Sequence, residues 1–205
     1  NTVSKVAKKI FLSSGMSSLK DIYNALVFLN KNGFKKNNIC VLHCVSDYPA
    51  KKNELNLLAI KLIKNKFKIK TGYSDHSIGD LASISAVILG AEVIEKHITI
   101  DKQMIGPDHI LSMNKKEFKN FVISLNDINL ILGEEIKKIT NGEKKNYKQI
   151  KRSVYLNRDI KKGEIFKLDH FICKRPRYKT SSIKWSKVLG KKTKTDFKKG
   201  TFFNI

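Results

Sequence analysis

Along the first three-quarters of the chain, short apolar runs alternate with stretches whose apolar residues recur at helical spacing, the pattern of βα units around a parallel sheet. Lys9-Ile10-Phe11-Leu12 predicts a strand that empties into Ser13-Ser14-Gly15-Met16. Ser17 or Ser18 then caps a helix carrying Leu19, Ile22, Tyr23, Leu26, Val27 and Leu29, closed near Gly33. Ile39 to Cys44 predicts the second strand, ending in Val45-Ser46-Asp47-Tyr48-Pro49, and Glu54 to Lys66 a helix repeating Leu55, Leu58, Ile60 and Ile63. Lys68 to Gly72 predicts the third strand, and Gly79 to Leu89 a small-residue helix with Ala82, Ser85 and Ala86. Ala91 to His97 predicts the fourth strand, and Lys115 to Leu132 a helix with Phe118, Phe121, Val122, Leu125, Ile128 and Leu132 on one face.

A repeat of roughly 30 residues per unit fits half of a (β/α)8 barrel as well as a doubly wound sheet. Four parallel units cannot close a barrel alone. The periodicity lapses over 138–148, where Asn141-Gly142 is the strongest turn signal, so a linker is expected there between an α/β domain, 1–137, and a second domain, 149–205. In the second domain short strands at Ser153 to Leu156 and Phe171 to Lys174 are separated by charged glycine turns, which describes a small β-rich fold. Asp159-Ile160-Lys161-Lys162-Gly163 and Asp196-Phe197-Lys198-Lys199-Gly200 echo one another, a sign of internal two-fold symmetry.

The 205 residues, 41% hydrophobic and 29% charged, suffice for one or two domains with a real core. Three cysteines are an odd number, and Cys40 and Cys44 alternate inside an apolar run, so a reducing, cytoplasmic compartment is expected. The apolar stretches fall short of the roughly 20 residues of a membrane helix or are broken by Asn and Asp, so no membrane partner is expected. The opening on Asn1 and the lysines among the first ten residues make a poor signal peptide and suggest a fragment or processed chain. A net charge of +23 raises the question of nucleic acid. With 37 Lys, only 4 Arg, and the basic residues read as spread along the chain, base readout is not expected. The same field would favour an anionic small substrate.

Polar residues gather where the four strands end, the position of active sites in parallel α/β folds. Ser74, Asp75 and His76 close one strand before a helix start that favours anions, so a phosphate could sit there with Ser74 or Ser77 donating. Glu95-Lys96-His97 closes the next, and two histidines on neighbouring strand ends could share a divalent ion with positions left open for water and substrate. The competing reading is two unrelated histidines, one in the core and one at the surface. Gly106-Pro107-Asp108-His109 exposes a carboxylate and an imidazole, or is an ordinary turn with a capping Asp. Ser13-Ser14-Gly15 is a small phosphate cradle or simple capping sequence, His43 a core histidine, and Arg175 a guanidinium beside a stiff turn or a solvated surface residue.

Taken in order, LSSGMSS (Leu12 to Ser18), LHCVSDYPA (Leu42 to Ala50), GYSDHSIG (Gly72 to Gly79), ILGAEVIEKH (Ile88 to His97) and GPDH (Gly106 to His109) resemble the sialic acid synthase family, which condenses phosphoenolpyruvate with N-acylated sugars. RSVY (Arg152 to Tyr155), DIKKGE (Asp159 to Glu164), KRP (Lys174 to Pro176) and VLGKK (Val188 to Lys192) resemble that family's antifreeze-like, or SAF, domain. The resemblance implies the second half of a TIM (β/α)8 barrel followed by an SAF domain, with manganese or magnesium on His76 and His97. It also implies phosphate contacts from Ser74 and Ser13 or Ser14, and sugar contacts from Tyr48 and Asp108. Arg175 matches the arginine lent to the partner's barrel in a domain-swapped homodimer.

The implied activity joins phosphoenolpyruvate to an N-acetylated, ManNAc-like hexosamine, giving a nonulosonic acid and phosphate. The alternatives are a legionaminic or pseudaminic acid synthase of the same family, or a non-catalytic carbohydrate-binding remnant. Two departures stand out: the family's first four βα units, with their lysine and glutamates, are not in this sequence, and Arg177-Tyr178-Lys179-Thr180 replaces the usual glycine-rich stretch.

Overall fold

The computed structural model describes residues 6–177 and 185–201, so Asn1 and the Tyr178 to Thr180 part of the departing loop lie outside the described residues. The chain divides into two compact units, Asn1–Glu134 and Glu135–Ile205.

In the first unit, strands β1 (Ile10–Ser13), β2 (Ile39–Cys44), β3 (Lys70–Asp75) and β4 (Val93–Lys96) pair in parallel in that order, which is the α/β half-barrel arrangement of the sheet. Helices α1 (Leu19–Lys31), α2 (Leu58–Phe67) and α3 (Leu81–Ile88) follow β1, β2 and β3, and α4 (Lys115–Leu132) follows β4 after a long loop. Ser18 starts α1 through a reciprocal capping box with Asp21, and Asn114 starts α4 in the same way with Glu117.

Side chains alternate between the two faces of the sheet. Ile39, Val41 and Ile69 meet Ile22, Phe34, Ile63 and Phe67 on one core, and Tyr73 meets Ala50, Leu55, Ile60, Ala82 and Ala86 on the next. The opposite face carries Leu42, Ser74 and Glu95 toward the strand ends. At Gly72 a Cβ would lie 2.5 Å from Leu42 Cδ2 and 2.6 Å from the Val93 carbonyl oxygen, so only glycine lets three strands close up there.

The third strand runs to Asp75 rather than stopping at Gly72, because Ser74 and Asp75 are buried polar residues with partners on the neighbouring strand. The expected linker also differs. Residues Asn141–Ile150 form a helix, α5, capped by a box between Thr140 and Glu143, which overrides the turn propensity of Asn141-Gly142.

In the second unit β5 (Ser153–Leu156) and β6 (Phe171–Lys174) are antiparallel, over a core of Val154, Leu156, Ile160 and Phe166. The two echoing turns are reciprocally locked. Asp159 accepts from the Lys199 N–H at 2.7 Å, and Asp196 accepts from the Lys162 N–H at 2.7 Å. Ile160 and Phe197 exchange both backbone hydrogen bonds between them. This unit also holds 22 of the 41 Lys and Arg against 6 of the 18 Asp and Glu, so the charge is denser here than an even spread along the chain.

Candidate active site

The ends of β3 and β4 build the site. Period-two alternation puts Ser74 and His76 on one face of β3 and Glu95 and His97 on the matching face of β4, with Ser74 and Glu95 in register. The His76 and His97 rings lie 5.4 Å apart between centroids and nearly perpendicular, at 87°. Tyr48, on the loop after β2, stacks on His76 at 4.2 Å and meets the His97 ring at 5.8 Å. Burial, then the neighbouring Cys44, Asp108 and Glu95, raise the Tyr48 phenol above its ordinary range, so it stays a hydrogen-bond donor near neutral pH.

Asp108 reaches the same place from the loop after β4. Met113 N–H bonds the His97 carbonyl and Thr99 N–H bonds the Met113 carbonyl, which ties both ends of that loop together. Ser112 Oγ then bonds the Asp108 carbonyl at 2.6 Å, and Asp108 Oδ2 comes to rest 3.7 Å from His97 Nδ1. His109 turns away, its Nδ1 2.7 Å from Thr99 Oγ1.

The two N-terminal serines part company. Ser14 is buried and spends its hydroxyl on the Leu42 carbonyl at 2.9 Å, whereas Ser13 ends β1 exposed. His43 is half-buried with Nε2 2.8 Å from the Leu55 carbonyl oxygen, as expected of a core histidine. Arg175 is exposed, in the second unit.

Two residues were missed from the sequence. Glu95 accepts the Ser74 hydroxyl at 2.6 Å, and its position two residues before His97 marks it as sharing that histidine's face. Lys96, one residue on, faces the helices and lies 3.0 Å from Asp75 Oδ2 with both side chains buried.

The fit to a divalent ion can be tested on His76. Its Nδ1 lies 2.6 Å from the Val45 carbonyl oxygen, which can only accept, so the ring proton sits on Nδ1. Nε2 faces Ser74 Oγ at 3.2 Å, but the single Ser74 proton goes to Glu95 at 2.6 Å. Nε2 therefore keeps a lone pair with no proton directed at it, oriented by a carbonyl behind it, as in metal-ligating imidazoles. With metal–nitrogen bonds of about 2 Å, two imidazoles on one ion hold their centroids about 5 Å apart, close to the observed 5.4 Å. Among the described residues no group of three or more His, Cys, Asp or Glu is arranged to hold a metal ion, so an ion here would have only this histidine pair from the described residues and would take its remaining ligands from water or substrate.

Comparison with known proteins follows the same division of the chain. The NeuB family matches residues 1–137 and the SAF domain matches residues 151–203. The chain is 44% identical over 196 residues to an N,N'-diacetyllegionaminic acid synthase of Campylobacter jejuni, covering 96% of this chain and 59% of that protein. It is 35% identical over 172 residues to the human N-acetylneuraminate-9-phosphate synthase, covering 80% of this chain and 46% of that one. The crystal structure of N-acetylneuraminic acid (sialic acid) synthetase from Leptospira borgpetersenii, in complex with citrate, superposes with a TM-score of 0.60 at 36% identity, covering 67% of this chain and 47% of that chain. The chain thus spans about three-fifths or less of the length of these relatives.

Proposed function

We propose, from the premise that the chain belongs to the NeuB family and carries an SAF domain, that it forms part of a synthase that condenses phosphoenolpyruvate with an N-acylated hexosamine, yielding a nonulosonic acid and phosphate. The observation that carries this reading is the pairing of His76 and His97 at one mouth with an oriented, unprotonated Nε2 on His76.

A divalent ion such as manganese or magnesium on the two histidines would polarise the sugar aldehyde toward attack by C3 of phosphoenolpyruvate. The chain's own groups set the reactants around that point. Ser13 would donate to the phosphate of phosphoenolpyruvate, and Ser74 would do so on turning its hydroxyl from Glu95 to the phosphate when substrate binds. Tyr48 offers a protonated phenol, and Asp108 a carboxylate, to the hydroxyl and amide groups of the sugar. Glu95 holds the Ser74 proton and so fixes which way that hydroxyl points. Clustered groups of this kind lower the barrier by orientation and by meeting charge as it develops. Arg175 completes the proposal as the residue lent to the mouth of a second subunit in a domain-swapped homodimer.

The higher identity to the legionaminic acid synthase, 44% against 35% for the human enzyme, favours a sugar bearing two acetamido groups over a ManNAc-like one. The test is phosphate release from phosphoenolpyruvate by the intact protein with a panel of mono- and diacetamido hexosamines. Release with one of them, abolished by chelator and by His76→Ala or His97→Ala, is the expected result. Sugar binding without phosphate release would make the chain a carbohydrate-binding remnant, and full activity in both variants would remove the metal role.

A further inference from the structure

Asp75 and Lys96 take no part in the site described above, yet each immediately precedes one of its histidines. They are partners in the β3–β4 register. Because side chains alternate, they face the helices while His76 and His97 face the mouth. Their side chains are 0% and 1% exposed, with Lys96 Nζ 3.0 Å from Asp75 Oδ2.

The pair converges on Ser77, the residue after His76. Asp75 Oδ1 accepts from the Ser77 N–H at 2.8 Å and the Ser77 hydroxyl at 2.7 Å. Lys96 Nζ donates to the Ser77 carbonyl. Asp75 Oδ2 is held from behind by the Ser83 hydroxyl of α3 at 2.6 Å. His76 therefore sits between two pinned residues, and one of the pins is the residue that precedes His97 on the next strand.

An apolar pair of the same volume would pack between strand and helix without the cost of taking two charges out of water. It could not grip the backbone of Ser77 on both its N–H and its carbonyl. What the ions add over an apolar filling is position.

We propose that the buried Asp75–Lys96 pair is a positioning device that sets the separation and angle of the His76 and His97 rings. The inference rests on the reading that these two histidines form one site.

The experiment uses the intact protein labelled with carbon-13 at the histidine ε1 position. In the metal-free wild type, the His76 signal is expected to be shifted upfield by the Tyr48 ring stacked on it and to show a cross-peak to His97. Mn2+ alone, added as probe, should broaden both signals at the same concentration. In the double variant Asp75→Asn/Lys96→Met, which leaves no buried charge unpaired, circular dichroism should be unchanged. The ring cross-peak and the upfield shift should be lost, and Mn2+ affinity should fall about 10- to 100-fold, as for other partners behind metal ligands. A double variant with wild-type ring contacts and wild-type Mn2+ affinity overturns the proposal.

Should the double variant not fold, Ser77→Ala removes one of Asp75's holds while leaving the ion pair intact. A smaller loss in the same direction supports the proposal, and unchanged His76 signals and affinity sink it. If the wild type keeps its ring contact but ignores Mn2+, the metal reading fails, and the ring contact alone decides the positioning role.

Discussion

The Ser74 hydroxyl donates to Glu95 across 2.6 Å, and that choice of acceptor leaves the imidazole of His76 without a proton aimed at its Nε2. A serine shared between a carboxylate and an imidazole has one proton to give, and the shorter contact claims it. Glu95, exposed at the mouth and two residues before His97, thereby acts on His76 through a neighbour.

Glu95→Met, which removes the acceptor, should free Ser74 to turn toward His76 Nε2 and compete for its lone pair. We expect phosphate release to fall about 10- to 100-fold, as when a partner behind a ligand is lost. An unchanged rate in this variant would show that the Ser74–Glu95 bond has no part in the reaction.

Cysteine labelling tests the burial of β2. Burial pushes the Cys40 thiol up to about 11 and also raises Cys44, while Cys173 is exposed. Since the thiolate is the reactive form, one thiol should react quickly with an aromatic disulfide reagent at pH 8 and all three after denaturation. Two or more fast thiols in the native protein would contradict the packing of β2.

The helix starts are sensitive to acid. Glu117 is held below its ordinary value of 4.5, first by Lys102 and then by the Asn114 backbone, and Glu143 likewise by the Thr140 backbone and hydroxyl. A carboxylate lowered in the folded state stabilises it fully above the unfolded value and loses that contribution as pH falls through the folded value. Helical circular dichroism should accordingly weaken as the solution is acidified below about pH 4.5. Replacing Glu117 and Glu143 by Gln should flatten that dependence, and a profile identical to wild type would remove these caps as its source.

Ile160 is fully buried in the core of the second unit and bridges to Phe197. Ile160→Ala should cost about 2 to 5 kcal/mol of that unit's stability in urea unfolding. A loss below about 1 kcal/mol would mean the site collapses around the smaller residue.

Much of this was legible in the sequence where the signal is local. The helix Lys115–Leu132 is legible to its ends because an apolar face runs its whole length, and the structure adds the Asn114–Glu117 cap that fixes its start. The helix after Thr140 has a like cap in Thr140 and Glu143, yet it lacks an apolar face, so the sequence shows the Asn141-Gly142 turn signal that the cap overrides in the fold. The third strand was cut short because Ser74 and Asp75 look like loop residues. Only their partners Glu95 and Lys96, 21 residues away in each case, make them interior.

The site divides along the same line. His76 and His97 stand out by type and spacing, but Ser13 and Ser14 separate only when β1 is placed against Leu42. Glu95 was within reach, since alternation puts it on the face of His97.

The crossed turns of the second unit bear on how it assembles. Asp159 accepts from the Lys199 N–H and the Lys198 ammonium, and Asp196 from the Lys162 N–H, contacts 34 to 40 residues apart in the chain. The loop entropy of bringing these segments together is met once for both, because the same closure delivers both carboxylates. Each turn closes its own local bond, Glu164 N–H to the Lys161 carbonyl and Thr201 N–H to the Lys198 carbonyl, but the carboxylate of each is satisfied by the other, so the pair has the form of a clasp with two hooks.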